Sequence, residues 1–129
     1  MTRQSVSGVS PWEPLFGYAR AVRTGNQVFV AGTASIAEDG TTHGIGDPYA
    51  QGKRALEIIA TALGEVGASM SDVVRTRLFY TDRSHWDDYV RAHGEVFSEI
   101  RPVSTAVQVA GLLSPEWLVE IEAEAVIDA

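Results

Sequence analysis

Arg101-Pro102-Val103-Ser104-Thr105-Ala106-Val107-Gln108-Val109-Ala110, a short break from Gly111 to Glu116, then Trp117-Leu118-Val119-Glu120-Ile121-Glu122-Ala123-Glu124-Ala125-Val126: this stretch decides the fold. Both runs alternate at period two, the pattern of half-buried strands. In the first, Val103, Thr105, Val107 and Val109 share one side, with Ser104, Ala106, Gln108 and Ala110 on the other. In the second, Val119, Ile121, Ala123 and Ala125 oppose Glu120, Glu122 and Glu124. The two runs are expected to form an antiparallel pair, one face core, the other collecting hydroxyl, amide and carboxylate groups. Such a polar face is either solvated or a site.

Upstream, Tyr18, Arg20 and Val22 alternate with Ala19 and Ala21, which predicts a short strand. Thr24-Gly25-Asn26 is turn chemistry, and Gln27 to Ala31 is a second strand closed by Gly32, so the two make a hairpin. Asp47-Pro48 starts a helix, with Asp as cap and Pro in the first turn. Leu56, Ile59, Leu63 and Val66 give it an apolar stripe, and Gly67 can end it. Val73 to Tyr80 is a third strand, with Arg75 and Arg77 to one side of it. Ser84-His85-Trp86-Asp87 has capping-box form and opens a second helix, on which Trp86, Tyr89, Val90, His93 and Phe97 form the stripe; Trp86 and Phe97 are expected in the core. Residues 1–15 lack periodicity and are taken as an arm anchored by Trp12 and Leu15. The element order is ββαβαββ: an α+β fold, a mixed sheet with two helices on one face, and residues 1–129 forming a single domain.

Composition narrows the function classes. The chain has 129 residues, 45% of them hydrophobic, which suits one domain with a core. The absence of cysteine excludes disulfides and thiolate metal sites. His43, His85 and His93 lack close ligand spacing, so no metal and no cofactor are expected. A net charge of -7 and a pI near 4.8 count against nucleic acid as a partner. Neither a leader-like segment nor an apolar run of membrane-spanning length is present, so a cytoplasmic protein without membrane association is the expectation.

Several of these stretches resemble the Rid family (YjgF/YER057c/UK114), proteins that hydrolyse reactive enamines and imines. Gly17-Tyr18-Ala19-Arg20-Ala21-Val22 is similar to its N-terminal Gly-Pro-Tyr segment, and Val28-Phe29-Val30-Ala31-Gly32 to its Val-Phe-x-Ser-Gly strand. Asp72-Val73-Val74-Arg75-Thr76, Pro102 to Leu112 and Val119-Glu120-Ile121-Glu122-Ala123 follow in family order and spacing. The resemblance implies a chorismate-mutase-like (YjgF-like) fold and a homotrimer with small-molecule sites in clefts between subunits. It also implies that Tyr18 and Glu120 line the cleft, Glu120 positioning a water or moving a proton. The chain departs from the pattern at Ser104, which stands at the position of the carboxylate-binding arginine. An Arg fork donates two charge-assisted bonds and serine one neutral bond, a loss of about 1.5–3 kcal/mol, or roughly tenfold to a hundredfold in affinity for a 2-iminocarboxylate.

Glu120 is the catalytic candidate, because imine hydrolysis needs an aimed water and a proton for the departing nitrogen. The alternative is that the three glutamates are one solvated strand face. Tyr18, Ser104, Thr105 and the backbone N–H groups at Gly32 are substrate-binding candidates. Arg20 shares a face with Tyr18 and either supplies a cation to the cleft or pairs with a glutamate of the last strand. Ser104 lacks an adjacent base and is not a nucleophile candidate. His93 reads as a hydrogen-bonded core or interface histidine. Three functions follow: a deaminase of small imines or enamines with an altered substrate class, a catalytically silent small-metabolite-binding trimer, and an endoribonuclease, against which the acidic charge counts.

Overall fold

The apolar alternation of the last strand places it at the centre of the molecule. In the computed structural model, which describes residues 2–128, Val119, Ile121, Ala123 and Ala125 are all buried and the glutamates between them are not. The strands are β1 (Arg3–Val6), β2 (Ala21–Thr24), β3 (Gln27–Thr33), β4 (Val73–Tyr80), β5 (Val103–Gln108) and β6 (Val119–Val126), and the helices are α1 (Pro48–Glu65) and α2 (Trp86–Phe97). They form one mixed sheet in the order β1-β2-β3-β6-β4-β5. The α+β architecture of the sequence reading is found, with one added strand at the N-terminal edge.

The fused pair expected from residues 101–126 does not form. β5 pairs in parallel with β4, while β6 lies between β3 and β4, antiparallel to both. Period-two alternation fixes which residues share a face; it does not say which strand lies alongside. β6 is the more apolar run and takes the central place, where both its edges are hydrogen-bonded. β5, with exposed Val103, Ser104, Thr105 and Gln108, takes the edge.

The expected hairpin is β2–β3, turned at Gly25 with φ of 62°. β2 begins at Ala21, later than predicted; Tyr18 to Arg20 remain an extended lead-in, with the Arg20 N–H donating to the Val6 carbonyl (2.8 Å). The supposed arm contributes β1, which pairs with β2 and buries only Val6. A four-residue strand with one apolar anchor carries no periodicity to read. A single π-helical turn, Glu13–Gly17, follows it.

α1 begins as its sequence dictates. The Asp47 carboxylate accepts from the Ala50 N–H at 3.0 Å, Pro48 sits in the first turn, and Gly67 beyond the end adopts φ of 83°. Leu56, Ile59 and Leu63 pack onto the Val28, Val30 and Ile121 face of the sheet. α2 is preceded by a 3₁₀ turn at Arg83–His85 whose cap is Asp82, not Ser84: the Asp82 carboxylate accepts from the Ser84 N–H at 2.8 Å. Its buried side chains are Tyr89, Ala92 and Phe97. Trp86, expected in the core, is 44% exposed and leans on Tyr80 at 5.9 Å between ring centres. The first residue of a helix sits past the edge of the layer that the helix covers.

Candidate functional site

The opposite face of the sheet carries the β6 carboxylates. On β4, Arg77 donates to Glu122 at 2.7 Å, and Arg75 reaches Glu124 at 3.4 Å. Glu122 and Glu124 are thus paired by β4 arginines on the neighbouring strand. Glu120 has no hydrogen bond or ion pair among the described residues; its β4 neighbour is Phe79. It is half-buried, and burial raises its carboxyl above the ordinary glutamate range. Arg20 acts in the opposite sense, and Glu122 adds to the rise.

Room for Glu120 comes from β3. The β3–β6 ladder shifts register between Val30 and Thr33, a bulge at Ala31-Gly32. A methyl group at Gly32 would press into the Glu120 carboxylate, so glycine there lets Glu120 keep this position, and a larger residue would push its carboxylate aside. The expected role for Gly32 was as an N–H donor; the group seen engaged is its carbonyl, which accepts from Arg20 at 2.6 Å.

Arg20 is 6% exposed and pairs with neither a β6 glutamate nor open solvent. Its partner is Glu13, from the π-helical turn, at 3.4 Å. The remaining donors go to the Gly32 carbonyl, the Thr33 hydroxyl (3.1 Å) and the Tyr18 hydroxyl (3.2 Å). With Nε and Nη2 both directed to Glu13, all five guanidinium N–H groups are engaged. Arg20 therefore acts on the site as a fixed positive charge and as the brace of Tyr18. Glu13 in turn accepts from the Gly8 N–H at 2.8 Å, which ties the N-terminal segment to the sheet. The widened turn, closed by Tyr18 N–H to Glu13 carbonyl (2.9 Å), aims this carboxylate inward. Sequence reasoning missed Glu13 because the segment has no pattern. A lone acid two residues from Pro11 in an arm holding Trp12 and Phe16 was the available signal.

Tyr18, Arg20, Gly32 and Glu120 meet in one cleft of about 570 Å³, within the range of small-molecule sites. Trp12 and Phe16 line one side and Leu113 and Trp117 another, none of them given a site role by the sequence reading. Trp12 and Leu15, expected as anchors of the arm, are both exposed. Phe16 meets Tyr18 edge-on at 6.0 Å.

Ser104 and Thr105 are not brought to this cleft within one chain. The Ser104 hydroxyl accepts from Thr76 at 2.8 Å, and the same Thr76 oxygen lies 2.9 Å from His93 Nε2 on α2. Ser104 therefore points to the helix-covered face, opposite to Glu120, and the expected gathering of hydroxyl and carboxylate on one face is corrected. Thr105 shares the Glu122 side through Arg77 but stands on the exposed edge strand. His93 is half-buried, and burial lowers its basicity. No group of three acidic or histidine side chains among the described residues is placed to hold a metal ion. No described helix is long and apolar enough to cross a membrane.

The family described as endoribonuclease L-PSP matches residues 9–127. The chain is 41% identical over 128 residues to the uncharacterized protein SCO2049 of Streptomyces coelicolor, covering 97% of this chain and 95% of that one. It is 36% identical over 111 residues to the 3-aminoacrylate deaminase RutC of Acinetobacter baylyi, covering 84% and 85% respectively. Among solved structures, Rv2704 of Mycobacterium tuberculosis, described as a member of the YjgF/YER057c/UK114 family, superposes with a TM-score of 0.88 at 44% identity. That match covers 98% of this chain and all of the other.

Proposed function

This chain belongs to the endoribonuclease L-PSP family, the YjgF/YER057c/UK114 or Rid proteins, and from that premise we propose that it is a hydrolytic deaminase of small reactive imines or enamines acting in the cytoplasm. One observation carries the reading: a half-buried, unpaired carboxyl at Glu120, raised by burial, facing a cleft whose shape is fixed by the Gly32 bulge and the Arg20 brace.

Such a group can run both halves of the reaction. Its carboxylate accepts a proton from water as the water oxygen attacks the C=N carbon. The carboxyl returns that proton to nitrogen, giving a carbinolamine. A second transfer, from the carbinolamine hydroxyl to the amine, forms the carbonyl and expels ammonia. Raising the pKa toward the working pH lets one carboxyl act as base and then as acid. The 3-aminoacrylate deaminase named among the relatives performs a reaction of this class on an enamine.

A homotrimer with clefts between subunits is part of the proposal. What supports it is the incompleteness of the single chain. Phe16 is 84% exposed at the cleft mouth, and the face bearing Glu120 has no helix over it. In such an assembly Thr105 of a second copy, which stands on the uncovered face, completes the site, whereas Ser104 stays turned to the helices. The alternative is a silent metabolite-binding trimer, favoured by one specific feature: Arg20 has no free N–H to hold an anionic substrate. The family's ribonuclease description finds no support in a net charge of -7.

The test uses two enzymatically generated imines: 2-iminopropanoate, and the neutral imine of benzaldehyde. Ammonia release from each is compared with a buffer blank. Glu120-dependent acceleration of either imine supports the deaminase; no acceleration of either, with ligand binding intact, leaves the silent binder.

A further inference from the structure

The walls of the cleft say what kind of molecule it takes. Four aromatic side chains, Trp12, Phe16, Tyr18 and Trp117, surround it, joined by Leu113. Rings on this scale favour flat, apolar ligands through large buried area and edge or offset stacking. The polar contribution is small and one-sided. Glu120 is the only acid lining the cleft among the described residues, and it stands unpaired. Arg20 is the only cation there among the described residues, and each of its five N–H groups already has an acceptor, in Glu13, Gly32, Thr33 or Tyr18.

An anionic ligand would thus meet an acid and find no donor fork. Recruiting Arg20 would break a pair with Glu13, which is itself 4% exposed. A carboxylate bound here would gain no bidentate bond and would lie close to Glu120. A neutral ligand meets no such penalty, and its C=N or C=O group can lie against Glu120 while its ring fills the aromatic walls.

We infer that the Glu120 cleft selects uncharged carbonyl-derived compounds with an aromatic or bulky apolar group, and discriminates against carboxylate-bearing ones. The site is that of the deaminase reading, and the inference rests on it: the substrates are neutral aryl or alkyl imines, and the products are the matching aldehydes or ketones and ammonia.

Three stable ligands test the class by calorimetric titration of the full chain. Benzamide mimics the neutral product with a ring, benzoate is its charged isostere, and acetamide lacks the ring. Benzamide is expected to bind at least tenfold more tightly than either of the others, and Trp117→Ala to weaken benzamide at least tenfold while leaving the circular dichroism spectrum unchanged. Benzoate binding as tightly as benzamide overturns the inference, as does benzamide binding unchanged in both Trp117→Ala and Phe16→Ala. The two claims fail separately. If 2-iminopropanoate is hydrolysed with Glu120 dependence while benzamide does not bind, the neutral class is overturned and the deaminase stands. If benzamide binds as expected while neither imine is turned over, the ligand class stands and the deaminase does not.

Discussion

Glu13 and Arg20 show how a residue far from any motif governs the site. Each is almost fully buried, and each answers the other's charge. Removing one partner of a buried pair leaves an uncompensated charge, so Glu13→Ala is predicted to cost about 3–5 kcal/mol in urea unfolding. Arg20→Met with Glu13→Met should cost markedly less than the sum of the singles, since no lone charge remains. Glu120 gives a prediction of opposite sign. Burial raises its pKa in the folded chain, so its neutral form contributes stability that is fully present below the ordinary glutamate range. That contribution is lost as pH rises through the raised value. Glu120→Gln, neutral throughout, is predicted to melt above the wild type at neutral pH, with the difference closing in acid; a lower melting temperature at neutral pH would contradict the desolvated carboxyl. Tyr18 and Glu120 were legible through the family resemblance, and Arg20 through its two-residue step from Tyr18, although Tyr18 and Arg20 both precede β2. Gly32 was legible only as the close of its strand. The partner of Arg20 was not, because Glu13 is placed by a π-helical turn that leaves no periodic trace.

At the scale of elements, the sequence announces strands and helices well and neighbours poorly. β4 and α1 begin and end as their patterns indicate, since a buried stripe and a cap are local properties. The place of β5 is not local. Its alternation is as clean as that of β6, yet it lies at the edge beyond β4, and the face of Ser104 follows from that pairing. One hydroxyl records the consequence: Thr76, fully buried on β4, bridges His93 on α2 and Ser104 on β5. Thr76→Val keeps the shape and leaves the half-buried His93 nitrogen without its partner, while exposed Ser104 can turn to water, and is predicted to cost about 1–3 kcal/mol. His93 should then show altered ring-nitrogen shifts by NMR, where an unrelated packing defect would leave them in place.

For the whole molecule, the single chain offers an uncovered sheet face and an exposed edge. Val103 is 59% exposed and Val107 42%, on the same side as Phe29 at 44%. If the proposed trimer buries this face, sedimentation should show one species near three chain masses. Val107→Asp should shift it toward monomer and lower deaminase activity along with assembly. The acidic net charge read from composition fits a small-molecule site better than a polyanion, and the aromatic walls narrow that further. Neither wall was legible beforehand: Trp12 and Phe16 lie in an unpatterned segment, and Trp117 precedes its strand.

The most direct test is the initial rate of ammonia release from the neutral imine of benzaldehyde, with wild type and Glu120→Gln side by side. Wild type should exceed the buffer rate, and Glu120→Gln should lose about a hundredfold or more of that acceleration, the usual weight of a positioned acid–base group. A wild-type rate equal to buffer for both imines, or a Glu120→Gln rate equal to wild type, would contradict the assignment of chemistry to Glu120.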